Sequence, residues 1–237
     1  MEKKNVFIVG GTSGIGLDIV HRLAADSYEV YVGSRNNRNL EGMAHTHHLS
    51  LDVTAESMEL EHLPESLQGL VYCPGSITLK PFQRLTADDF IADYNLNLLG
   101  AVKVIQASLK KLRKSPDGAS IILFSTVAVK IGMPFHASTA SAKAAVEGFA
   151  RSMAAEFAPR IRINVIAPSL TDTPLAENLL SSEQKRQGSA DRHPLKRIGT
   201  SGEVAQMAVH LLSDEGSWIT GQVFHVDGGM SSIRVFK

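Results

Sequence analysis

Short apolar runs of strand length alternate with helical patterns from one end of this chain to the other, and this rhythm is its tightest constraint on fold. The runs at 6–9, 30–32, 69–72, 120–124, 161–166 and 222–226 are rich in Val and Ile and do not alternate strictly with polar residues. Strict alternation marks a sheet with one wet face, whereas continuous apolar runs mark parallel strands covered on both faces. A shorter candidate strand lies at 48–51. Helical patterns at 15–25, 87–112, 138–157 and 202–212 fall between the runs. Parallel neighbours need a crossover, and a helix supplies it. The expectation is an α/β fold, a doubly wound parallel sheet of about seven strands with helices on both faces.

The 237 residues suit one domain, 1–237, and no linker, repeat or low-complexity segment divides them. Lys+Arg and Asp+Glu both number 24, which gives no electrostatic case for nucleic acid or an anionic membrane. Cys73 is the only cysteine, so no internal disulfide forms, in keeping with a reducing compartment. No apolar run approaches membrane-spanning length, and a cytoplasmic location is expected. The crossover at 35–47 is too short for more than a turn or two of helix. His45, His47 and His48 cluster there. No acid or cysteine pattern completes a metal site around them, so they read as solvated loop residues. The polar stretch 174–194 reads as a loop or small helical flap past a strand's C-terminal end, where open α/β sheets bind ligands.

The first strand runs straight into Gly10-Gly11-Thr12-Ser13-Gly14-Ile15-Gly16, and a helix with apolar Ile15, Ile19, Val20 and Leu23 follows. Glycines let the backbone approach a pyrophosphate, and the helix N-terminus adds a positive dipole end. Strand, glycines and helix in this order point to a Rossmann-type dinucleotide site. The second strand ends at Gly33-Ser34-Arg35. An acid at this place binds the adenosine ribose hydroxyls of NAD, whereas Ser34 and Arg35 suit the 2′-phosphate of NADP(H). NADP(H) is therefore favoured over NAD(H).

The glycine spacing, together with Asn97-Leu98-Leu99-Gly100, Ser125-Thr126, Lys143-Ala144-Ala145-Val146-Glu147-Gly148-Phe149 and Asn164-Val165-Ile166-Ala167-Pro168, resembles the short-chain dehydrogenase/reductase family over nearly the whole length. The resemblance implies hydride transfer with a nicotinamide cofactor. It implies a helix asparagine that holds a relay water at Asn97 and a substrate-binding hydroxyl at Thr126. Lys143 would bind the nicotinamide ribose, and Asp52 and Val53 would lie by the adenine. Gly75 survives from a motif whose other places hold Tyr72, Cys73 and Pro74. Pro168, the Leu170 backbone and Thr173 would run along the nicotinamide, with Ser169 replacing a usual glycine. A homodimer or homotetramer is also implied.

One departure decides the chemistry. The family pairs this lysine with a tyrosine four residues earlier, and this chain has Thr139 there. A phenol, with a pKa near ~10, can be pulled toward neutrality by an ammonium, whereas an aliphatic hydroxyl is a poor general acid. Reducing a ketone creates a strongly basic alkoxide, and reducing a conjugated thioester creates a less basic enolate that hydrogen-bond donors can hold. The stretch from Ser138 to Glu147 resembles 2,4-dienoyl-CoA reductases, where a serine can replace the tyrosine. His136, seven residues before Lys143, is a second candidate acid or an ordinary loop histidine. The segment 174–197 carries Lys185, Arg186, Arg192, Lys196 and Arg197 against Glu177, Glu183 and Asp191, a slight basic excess that suits an anionic or CoA- or carrier-linked substrate. Two readings remain open: a reductase of a carbonyl or conjugated enoyl or dienoyl thioester, and a non-catalytic NADP(H)-binding sensor or scaffold.

Overall fold

A computed structural model describes residues 3–26, 28–58 and 60–235. In chain order its elements are β1 (Lys4–Val9), α1 (Gly14–Ala24), β2 (Tyr28–Ser34), β3 (Thr46–Ser50), β4 (Gly69–Tyr72), α2 (Ala87–Tyr94), α3 (Gly100–Arg113), β5 (Ala119–Phe124), α4 (Val127–Ile131), α5 (Ala137–Phe157), β6 (Ile161–Pro168), β7 (Thr171–Asp172), α6 (Glu183–Arg192), β8 (Gly199–Thr200), α7 (Ser201–Leu212) and β9 (Val223–Val226). Seven strands form one parallel sheet in the order β3-β2-β1-β4-β5-β6-β9. The direction of winding reverses between β1 and β4, and such a reversal opens a crevice at the C-terminal ends of the strands.

The period of two along each strand divides the core into two layers. Phe7 and Val9 of β1 and Ile121 and Leu123 of β5 pack with Val104, Ile105 and Leu112 of α3 and Val146, Ala150 and Phe157 of α5. Val6 and Ile8, with Ile122 and Phe124, pack on the other face with Ile19, Val20 and Leu23 of α1 and Val204, Ala208 and Leu211 of α7. Thr86 and Thr200 start α2 and α7 with reciprocal capping boxes.

The structure changes two local expectations. The helix expected over 87–112 is interrupted by a π-helical turn at Asn95–Leu99. Inside that turn the Tyr72 hydroxyl donates to the Leu96 carbonyl at 2.6 Å. Only glycine at position 100 admits the phenol, because a Cβ there would overlap Tyr72 Oη. The crossover histidines are strand or strand-edge residues with partners. His45 and His47 bond Glu29 at 2.8 and 2.9 Å, and His48 Nε2 donates to Ser34 O and Oγ, both at 3.1 Å. The segment 174–197 holds a 3₁₀ turn, Pro174–Leu179, and α6. Among the described residues no helix is long and apolar enough to cross a membrane.

Candidate functional site

A cavity of about 1140 Å³ runs along the C-terminal ends of the strands, from the glycine turn to the 174–197 segment. Its wall contains Gly10, Thr12, Ser13, Gly14, Ile15, Gly16, Ser34, Arg35, Asp52, Val53, Gly75, Thr126, His136, Thr139, Lys143, Pro168, Leu170 and Thr173, so residues scattered through the sequence meet on one surface. Asn97 alone among the sequence candidates lies behind the wall, 1% exposed.

At the first end the turn needs its glycines for two different reasons. Gly14 has φ +51°, which L side chains avoid, and a Cβ at Gly16 would overlap the Gly10 carbonyl. Ser13 precedes α1 without a side-chain cap bond, so the first N–H groups of the helix face the cavity without that competitor. This geometry fits a dinucleotide pyrophosphate. Arg35 is exposed at the cavity edge. Ser34 spends its proton on the Asn36 carbonyl at 2.6 Å and accepts from His48. Asp52 is held below the usual carboxylate range by the hydroxyl and N–H of Thr54.

At the far end the buried Lys143 ammonium donates to the Phe124 carbonyl at 2.9 Å. Burial brings its pKa from 10.5 down to about 8, and burial pushes the neighbouring Cys73 thiol up to about 12. Gly75 keeps the floor open: a Cβ there would stand 3.3 Å from both Lys143 Nζ and Asn97 Oδ1. Asn97 Nδ2 donates to Asp93 O and Ser76 Oγ at 2.8 and 2.9 Å, but its Oδ1 has no partner among the described residues. An unmet buried acceptor beside a cation with spare N–H groups suits a bridging water or ligand hydroxyl.

Thr139 has a different setting from the one its sequence position suggests. Its hydroxyl donates to Asp93 Oδ2 at 3.1 Å and accepts from the Thr78 N–H at 3.1 Å. Asp93, 2% exposed, also accepts from Ser138, Ser76 and Thr78 at 2.5, 2.5 and 3.0 Å. Four hydroxyls thus satisfy one buried carboxylate. The single Thr139 proton is engaged there and is not directed at the cavity. Sequence reasoning missed Asp93, although it stands one helical turn before Asn97 on the same face. Ser125 is tied to Glu147 at 2.6 Å, which leaves Thr126 as the hydroxyl of this loop in the open wall. Thr126 Oγ1 accepts from the Ala128 N–H at 3.3 Å and keeps its own proton free for the cavity. His136 donates through Nδ1 to the Pro134 carbonyl at 2.7 Å and stands exposed at the rim.

The family model described as enoyl-(acyl carrier protein) reductase matches residues 9–231. The chain is 34% identical over 234 residues to the 3-oxoacyl-[acyl-carrier-protein] reductase MabA of Mycobacterium tuberculosis, covering 96% of this chain and 92% of that one. It is 32% identical over 245 residues to the 3-oxoacyl-[acyl-carrier-protein] reductase FabG of Thermotoga maritima, covering 97% and 98%. The structure of ElxO with NADP bound superposes with a TM-score of 0.87 at 28% identity, covering 98% of this chain and all of that one. Sheet order, glycine turn and matched length agree, and the chain belongs to the short-chain dehydrogenase/reductase family of oxidoreductases.

Proposed function

We propose that this chain is an NADP(H)-dependent reductase of a carbonyl or conjugated enoyl group on a thioester carried by CoA or an acyl carrier. The observation that carries the reading is one cavity joining the glycine turn to Lys143 and Thr126, with Asn97 directly behind its wall at Gly75. A bound nicotinamide supplies hydride. Gly10 to Gly16 would hold its pyrophosphate, Arg35 a 2′-phosphate, Asp52 and Val53 the adenine side, and Lys143 the nicotinamide ribose. Pro168, Leu170 and Thr173 would line the carboxamide. Thr126 would donate to the substrate oxygen, since its proton is free. Two relatives named as 3-oxoacyl-carrier reductases favour a thioester substrate. Ile91, Tyr94 and Leu99 expose an apolar stripe along α2 and the π turn, which supports pairing of two copies in a homodimer or homotetramer.

A second reading, a dinucleotide-binding homologue without turnover, draws on the engagement of the Thr139 proton by Asp93. NADPH consumption with 3-oxoacyl and enoyl thioesters, measured beside NADPH binding, separates the two. Turnover supports the reductase, and binding without turnover on either thioester supports the second reading.

A further inference from the structure

Ser169 and His193 form a hydrogen-bonded pair in the wall of the cavity. His193 is 2% exposed. Its Nδ1 lies 2.8 Å from the Ser189 carbonyl, which can only accept, so Nδ1 carries the proton. In the neutral ring Nε2 is then an acceptor, and it faces Ser169 Oγ at 2.8 Å. The carbonyl thus fixes the tautomer whose Nε2 can take a proton from the serine, with Met230 Sδ, a weak acceptor, 3.4 Å from the same Oγ. The ring is held between α6 and the turn after β9, where a Cβ at Gly228 would stand 3.5 Å from His193 Cδ2. Beside it in the chain the Arg192 guanidinium bonds Ser189 Oγ at 3.0 Å, and next to Gly228 the Asp227 carboxylate is held by the N–H groups of Gly229 and Ser231.

The pair also stands by the other reactive groups. β5 and β6 pair with Phe124 opposite Ile166. Thr126 and Pro168, each two residues beyond this pair, line the same cavity as Ser169 and His193. Ser169 follows Pro168 directly, and the Lys143 ammonium reaches the same strand end through Phe124 O.

We propose that Ser169 and His193 are the proton-delivering pair of this site, taking the work that a tyrosine at position 139 would do. The proposal rests on the reductase reading. With hydride supplied by reduced nicotinamide to the substrate carbon, the anion left on the substrate takes the Ser169 proton. Ser169 Oγ regains a proton from Nε2 of the His193 imidazolium, which becomes neutral and is recharged from solvent. In the oxidative direction the neutral ring accepts the proton along the same path. Thr139 has no part in this relay, because its proton stays on the bond to Asp93.

The test has two arms. In the cofactor-free protein, long-range ¹H–¹⁵N spectra of the histidines should show His193 as the Nδ1–H tautomer, with an Nε2 shift that changes in Ser169→Gly. An Nε2–H tautomer overturns the proposal. In the second arm, a 3-oxoacyl pantetheine thioester and NADPH are turned over by wild type, Ser169→Gly and His193→Gln. Each variant should lose about 10²-fold or more in kcat. The KM for NADPH should hold, and the limb of the pH–rate profile that belongs to the pair should vanish. Ser169→Gly keeps the test decisive if the buried His193→Gln fails to fold. An active wild type with an unaffected Ser169→Gly overturns the pair and leaves the reductase reading standing. Wild type that binds NADPH and reduces neither this thioester nor an enoyl thioester overturns the reductase reading, and the role of the pair falls with it.

Discussion

Lys143→Met should make the folded state less sensitive to pH, because it removes an ammonium that the fold buries at a cost. The folded lysine titrates at about 8 rather than 10.5, with burial as the main cause. At ~1.36 kcal/mol per pKa unit the full difference is about 3 kcal/mol. The sign follows from proton counting. Between the two values the unfolded chain holds the proton that the folded chain has released, so raising the pH favours folding. From about pH 7 to about pH 10, wild-type stability should rise by roughly 2.5 kcal/mol relative to Lys143→Met. Cys73 acts in the opposite sense in an overlapping range, because burial raises its folded value to about 12 from 9.0. That effect is common to both proteins and largely cancels in the difference. Urea unfolding of the two cofactor-free proteins at both pH values measures it. Parallel stability profiles would refute the burial argument. Ribose acceptors would favour the charged form of Lys143, so NADPH binding should take up protons and weaken as the pH climbs past 8, and Lys143→Met should lose both the affinity and its pH dependence.

Three further outcomes follow from the cavity. Arg35→Ala should narrow a preference for NADPH over NADH by an amount typical of a charge-assisted contact, about 1.5–3 kcal/mol or roughly 10- to 150-fold; calorimetric titration with both cofactors measures it, and equal affinities in the wild type would remove the argument. Thr139→Tyr should lower Tm and bring no gain in ketone reduction, because it takes one hydroxyl from the buried Asp93 carboxylate and an acceptor from the Thr78 N–H, a loss of about 1–3 kcal/mol; a 10²-fold gain would show that the place still accepts a catalytic phenol. Gly14→Ala should weaken cofactor binding while the fold persists, since φ is +51° and the new methyl would meet Thr173 at 3.2 Å; unchanged NADPH affinity would disconnect this turn from the pyrophosphate.

What the sequence disclosed about this molecule, and what it withheld, divides along the range of the interactions involved. The strands were legible because both faces of β4 and β5 are buried and their residues, Ser120 apart, are apolar. The glycine turn was legible because its demands are local, a positive φ at Gly14 and a close approach at Gly16. The π turn was not, because the hydroxyl inside it comes from Tyr72, 24 residues before Leu96. Asp93 read as one more helix acid, because the hydroxyls that satisfy it arrive from Ser76 and Thr78 on one side and Ser138 and Thr139 on the other, up to 46 residues away. The same holds for His193, whose partner Ser169 lies 24 residues back. This changes the meaning of Thr139. Taken alone, threonine in place of tyrosine is a missing acid. Beside Asp93 it is one of four hydroxyls on a buried carboxylate, and a phenol directed into the cavity would leave that carboxylate one donor short. The loss at position 139 and the buried acid at position 93 are thus two sides of one arrangement, in which the Thr139 proton is committed to Asp93 rather than to a substrate.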